Sequence, residues 1–130
     1  MFGASGRLSE TAFFLMRLVV GLLFACHGAQ KLFGVLGGHV MTGKPLMLIA
    51  GIIEFGGGLL VAIGLFTRIA ALLASGQMAV AYFTTHLPQG FWPIQNKGEL
   101  AVAYCFVFLF IAAHGAGRYS LGRGMGSESG

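Results

Sequence analysis

The sequence predicts an all-α integral membrane protein, a bundle of four spanning helices, and three observations carry that expectation. Hydrophobic residues fill 56% of the 130 positions and charged residues only 9%, whereas an ordinary soluble domain carries about 25% charged residues. The mean hydropathy is +0.82. The apolar residues are gathered into four stretches near the roughly 20 residues that cross a bilayer, separated by connections rich in Gly and Pro. Water is therefore not the main solvent. Composition excludes a soluble enzyme, a secreted disulfide scaffold and a disordered chain. Four spans occupy roughly 80 residues of the chain, so no separate catalytic domain is expected.

The first span is expected near residues 12–33 and carries Arg17 and Lys31. Its apolar stretch, beginning near Thr11, is too long for the h-region of a signal peptide, and no clear A-x-A site follows it. Gly34, Gly37, Gly38, Gly43 and Pro45 punctuate the connection to a second span near 46–66, which contains Glu54. Thr67-Arg68 makes a tight turn into a third span near 68–87, the apolar part of the charge-free stretch Ile69 to Asn96. Pro88, Gly90, Pro93 and Gly98 then lead to a fourth span near 99–116. The bundle is thus expected over residues 1–121, followed by a flexible Gly/Ser-rich tail over 122–130.

Four spans place both termini on one side. That side collects Arg7, Arg68, Arg118 and Arg123, with Arg17 just inside the membrane, and the other collects Lys31, Lys44 and Lys97. The bias favours cytoplasmic termini in a multi-pass protein of the cell inner membrane, with Phe91 and Trp92 at the outer interface. The net charge of +4 comes from basic residues scattered singly, which argues against nucleic acid as a partner and for lipid headgroups. Cys26 and Cys105 are too few for a disulfide framework. They are expected as buried small hydrophobes, with a facing redox pair as the alternative.

A charge at mid-bilayer costs about 2.5 to 3.5 kcal/mol on insertion scales, so each one calls for a partner, a cavity or a function. Glu54 is the most demanding, about 12 Å into its helix at 1.5 Å per residue. His27 and Lys31 on the first helix, and Tyr82 and His86 on the third, are both i, i+4 pairs on one face. The outer half therefore collects His27, Gln30, Lys31, Glu54, Tyr82, His86, Asn96 and Glu99; an inner set comprises Arg17, Arg68, His114 and Arg118. Two readings of the outer set stand side by side. One is an ion-pair and hydrogen-bond network that only holds helix register. The other is a proton-coupled redox or ligand site, in which His and Glu exchange protons and aromatic residues hold a ring. Haem ligation by His27 and His86 is a weaker third, because no C-x-x-C-H or H-E-x-x-H motif is present. No metal site is assigned. Arg17 is expected to snorkel to the interface. Gly51, Gly57 and Gly58 fall on or near the Glu54 face, either for close helix packing or to open a groove beside the carboxylate.

The segments that carry these residues resemble the DoxX family of small four-helix membrane proteins. The resemblance runs from about Phe14 to Leu121 and rests on RLVVGLLF followed by HGAQKLFG from His27, EFGGG from Glu54 followed by GLFTR ending at Arg68, MAVAYF with His86, and NKGELA from Asn96 with the final GRYSL. It implies the four-helix membrane fold and a kinship with the quinone-reducing membrane subunit of thiosulfate:quinone oxidoreductase. The expected function is a membrane subunit of an oxidoreductase system that binds a quinone or similar ligand in the outer half of the bundle. Glu54 and His27 are assigned as proton-exchanging residues; Lys31, Tyr82, His86, Asn96 and Glu99 as ligand-binding; Arg17 and Arg68 as structural. No intrinsic cofactor is expected, so electrons must come from a partner oxidoreductase subunit. The alternative is a non-catalytic accessory subunit of a larger respiratory or photosynthetic membrane complex. A small-solute transporter is weaker still, since four helices without a visible repeat form a pathway only as an oligomer.

Overall fold

A computed structural model describes residues 3–40 and 43–122. Among the described residues all regular structure is helical. Helix α1 runs over Gly3–Phe33 and α2 over Pro45–Ile63. Helix α3 comprises Thr67–Ala81 and continues as a π turn at Tyr82–His86. A single turn, α4, follows at Pro93–Asn96, and α5 spans Glu99–His114. The sequence-predicted tail lies, from residue 123 on, outside the described residues.

Local chemistry sets the helix ends. Helix α2 starts with Pro45, which needs no N–H partner there, after an extended Lys44. It stops at Gly64, which takes the left-handed conformation (φ 75°, ψ 41°). The Leu65 N–H donates to Leu60 O at 2.9 Å and the Gly64 N–H to Val61 O at 3.1 Å, the paired closing bonds of a Schellman motif. This stop comes before the sequence-predicted end near 66. At the other extreme α1 begins at Gly3 rather than near 12. Hydropathy marks where lipid begins, and Leu8-Ser9-Glu10-Thr11 contains no Gly or Pro to end a helix, so the backbone extends past the apolar stretch.

Helices α1 and α2 meet backbone to backbone. A Cβ on Gly21 would lie 2.6 Å from Gly58 O, and one on Gly28 only 2.2 Å from Phe55 N. Small residues let two helices gain dispersion contact at close range, which matters most where lipid offers no hydrophobic drive between helices. Helix α3 packs along α5 through Ala70, Ala71 and Ala74. Phe24 joins the two pairs, its ring 4.7 Å from that of Phe108 and 5.4 Å from that of Tyr104.

The outward faces are apolar on every long helix: Leu15, Leu22, Ile49, Ile52, Ile69, Leu72, Phe106 and Leu109 are all exposed. In water such a surface would be an aggregation liability; in lipid it is the solvated face. Gly6–Phe33 and Pro45–Ile63 are long and apolar enough to cross a bilayer, and Glu99–His114 is a shorter apolar helix. The protein is an all-α membrane protein. Cys26 faces outward and is exposed, which corrects its expected burial: it lies on the lipid side of α1 rather than on the Gly21–Gly28 side. Cys105 is half-buried, and both thiols are free.

Candidate functional site

The chain's polar residues separate to two ends of the helices. At the end that holds the Gly64 turn, Arg17 is 1% exposed and does not snorkel. Its guanidinium donates to Ala116 O at 2.5 Å and to Ala62 O at 3.2 Å. The carbonyls of Ala62, in the last turn of α2, and of Ala116, just beyond α5, hold the cation in place of water. Arg68 likewise donates to Ala112 O at 3.0 Å and Ala113 O at 2.8 Å, in the last turn of α5.

The opposite end, beneath the α1–α2 and α3–α5 connections, holds the candidate site. Glu54 is fully buried, on a π turn over Ile53–Gly57 that interrupts α2. Such single-turn widenings recur at functional positions. Its Oε2 accepts from Lys31 Nζ of α1 and from Gln77 Nε2 of α3. One carboxylate oxygen therefore ties three helices. Its other oxygen, Oε1, is buried without a hydrogen-bond partner.

Beside this carboxylate is a cavity of about 230 Å³, with His27, Lys31, Glu54, His86, Lys97 and Tyr104 in its wall. Phe24, Met78, Ala81, Leu100 and Ala101 provide the apolar part. His27 meets the Tyr104 ring edge to face, with centroids 6.0 Å apart. His86 belongs to the second π turn, and its Nδ1 is 3.2 Å from Asn96 O. Because a carbonyl only accepts, the Nδ1 facing Asn96 O carries a proton, and Nε2 is the ring nitrogen free to meet a ligand.

Of the sequence-predicted site residues, His27, Lys31, Glu54 and His86 line the cavity. Tyr82, Asn96 and Glu99 do not. Asn96 is fully buried as the brace of the α3–α5 connection: its Nδ2 donates to Tyr82 Oη at 3.1 Å and Gly90 O at 2.8 Å, and its Oδ1 accepts from the Gly98 N–H at 2.8 Å. Glu99 is exposed in the first turn of α5, where a carboxylate favours the positive end of the helix. Sequence reasoning missed Gln77, Lys97 and Tyr104. Gln77 was detectable as the sole amide in the apolar run 69–87. Lys97 and Tyr104 gave no such signal, since one is in a connection and the other in a helix that is apolar all round. Among the described residues no three His, Cys, Asp or Glu side chains converge to hold a metal ion.

These features define a class: an all-α membrane protein with a buried carboxylate–amine pair opening on a cavity near one end. More particularly, the chain belongs to the DoxX family, whose profile matches residues 12–87. A Haemophilus influenzae protein, described as uncharacterized, is 42% identical over 113 residues, which cover 82% of this chain and 84% of that protein. No solved structure matches the chain.

Proposed function

We propose that this protein is a membrane subunit of an oxidoreductase system and binds a quinone in the cavity beside Glu54. The supporting observation is the cavity itself: about 230 Å³, part aromatic and part ionisable. A dry cavity of about 150 Å³ already holds a benzene ring, so a substituted benzoquinone fits in size. An apolar groove between α3 and α5, lined by Tyr82, Phe83, Val102 and Phe106, shares Met78 and Ala101 with the cavity. It suits the hydrocarbon substituent of the same ligand. Reduction of a quinone takes two electrons and two protons. The electrons come from a partner subunit, and Glu54 and His27 relay the protons. Lys31 and His86 orient the ring oxygens, while Asn96 and Tyr82 position His86 through the connection. In this reading the protein resides in the cell inner membrane with both termini cytoplasmic.

The test is binding of a prenylated quinone and its tail-less ring to purified protein in lipid nanodiscs. Both are expected to bind, the prenylated form more tightly, and Val102→Phe is expected to erase that advantage by filling the groove while leaving ring affinity intact. Absence of binding by either compound sinks the proposal.

A second reading has support of its own. The Lys31–Glu54–Gln77 contact joins α1, α2 and α3, as a register lock would. A non-catalytic accessory subunit of a respiratory or photosynthetic complex needs nothing more. Blue-native electrophoresis separates the two: the accessory role predicts that deletion removes a larger complex without changing turnover per complex.

A further inference from the structure

The cavity wall holds two lysines, Lys31 and Lys97, against one carboxylate, Glu54. Lys31 is already paired with Glu54, whereas Lys97, an exposed residue of the same wall, has no ion pair or side-chain hydrogen bond among the described residues. The excess charge of the wall therefore belongs to Lys97. Its backbone is costly. Lys97 closes α4 in the left-handed conformation (φ 64°, ψ 18°), which glycine adopts without the penalty of a Cβ. Three described non-glycine residues have positive φ, namely Leu36, Phe66 and Lys97, and of these Lys97 alone lines the cavity. Both neighbours hold it there. Asn96 O meets His86 Nδ1 at 3.2 Å, Asn96 Oδ1 accepts from the Gly98 N–H at 2.8 Å, and a Cβ on Gly98 would lie 2.7 Å from His86 Cβ. A glycine would suit this backbone better, but only a side chain brings a cation to the wall, and residues held in sparsely populated conformations gather at ligand sites.

We propose that Lys97 binds an ionised ring oxygen, so that the cavity takes an acidic hydroxyquinone, as its anion, in preference to a neutral quinone of the same shape. This rests on the quinone-site reading above and adds to it the chemical class of the ring. A hydroxyl on a quinone ring is a vinylogous carboxylic acid and has lost its proton at neutral pH. Because Lys31 answers the charge of Glu54, the anion meets Lys97 with net attraction. Exposure of Lys97 limits that attraction to the strength of a surface ion pair, about fivefold in affinity, and makes it weaken with salt.

The experiment compares two tail-less probes at neutral pH, 2-hydroxy-3,5,6-trimethyl-1,4-benzoquinone and its neutral 2-methoxy analogue. The protein is held in nanodiscs of zwitterionic lipid, so that no anionic headgroup competes for Lys97. Full ring substitution prevents addition of the exposed Cys26 thiol. The hydroxy compound is expected to bind the wild-type protein about fivefold more tightly than the methoxy compound at low salt, with the preference shrinking as salt is added. Lys97→Met is expected to remove the preference and Lys97→Arg to keep it. Lys97→Gly is expected to remove it while raising the thermal midpoint, a pairing that a merely structural lysine would not produce. Equal affinities of the two probes for the wild-type protein, or a preference that survives Lys97→Met, overturn this inference and leave the quinone site standing. Failure of both probes to bind overturns both. The wild-type comparison needs no variant, so it decides the matter even where a substitution at Lys97 does not fold.

Discussion

The two ends of the molecule deal with intramembrane charge in opposite ways. At the Gly64 end, Arg17 and Arg68 donate to backbone carbonyls at the ends of α2 and α5 and beyond, including Ala62, Ala112, Ala113 and Ala116. Those oxygens have no helical partner, so cation and carbonyl each remove the other's desolvation cost. At the Glu54 end, a single carboxylate oxygen receives both Lys31 and Gln77, while its twin is buried with no hydrogen-bond partner among the described residues. The same fold thus answers one cost in two ways, with backbone carbonyls at one end and with a side-chain network beside a cavity at the other.

The largest effect is expected from the close approach that sets the Glu54 end. A Cβ at residue 28 would meet the Phe55 backbone at 2.2 Å, and no side-chain rotation relieves a backbone clash. Gly28→Val is expected to cost about 3 kcal/mol or more, or to prevent folding, as read by detergent-resistant helicity and yield. Normal stability in this variant would mean that α1 and α2 are not held at that distance.

Next comes the Gly64 end. Arg17→Met strips the donor from two carbonyls in a buried place, at about 3 kcal/mol, measured by thermal unfolding in micelles. Quinone affinity per folded molecule should not change. A selective loss of ligand binding would dissolve the distinction between the ends.

Lys31→Met leaves the Glu54 carboxylate without its cation and is expected to cost about 2 kcal/mol, less than a wholly buried pair because the Lys31 side chain is 28% exposed. The double variant with Glu54→Leu is expected to recover most of that stability and to lose ligand binding. If the double variant still binds, the pair is a register lock and nothing more. The smallest effect belongs to Arg68→Ala, about 1 kcal/mol for half-exposed carbonyl bonds at the end of α5, with binding intact.

Much of this was legible in the chain. An excess of apolar residues in four stretches indicates helices in lipid, because a bilayer tolerates only self-satisfied backbones. The cost of a buried charge singled out Glu54, and the i, i+4 spacing put His27 with Lys31. Other features were hidden for identifiable reasons. Arg17 was expected to snorkel, but local sequence says nothing of the Ala116 carbonyl 99 positions away. Asn96 was read as a ligand residue, yet its amide is used up by Tyr82, Gly90 and Gly98. Tyr104 lies in an unbroken apolar run, where no periodicity distinguishes a cavity wall from a core.

The chain by itself determined the solvent, the helices, their order and the small number of charges that must be compensated, since these follow from composition, length and the stiffness of Pro and Gly. Which donors met which acceptors was decided only by tertiary structure. Hydrogen bonds act within about 3 Å; α1 and α2, packed through Gly21, Gly28 and Gly58, bring Lys31 to Glu54 and Ala62 to Arg17, while the α3–α5 connection brings Tyr82, Gly90 and Gly98 to Asn96. The same packing buried Glu54 completely beside a cavity, a placement that no one-dimensional pattern records.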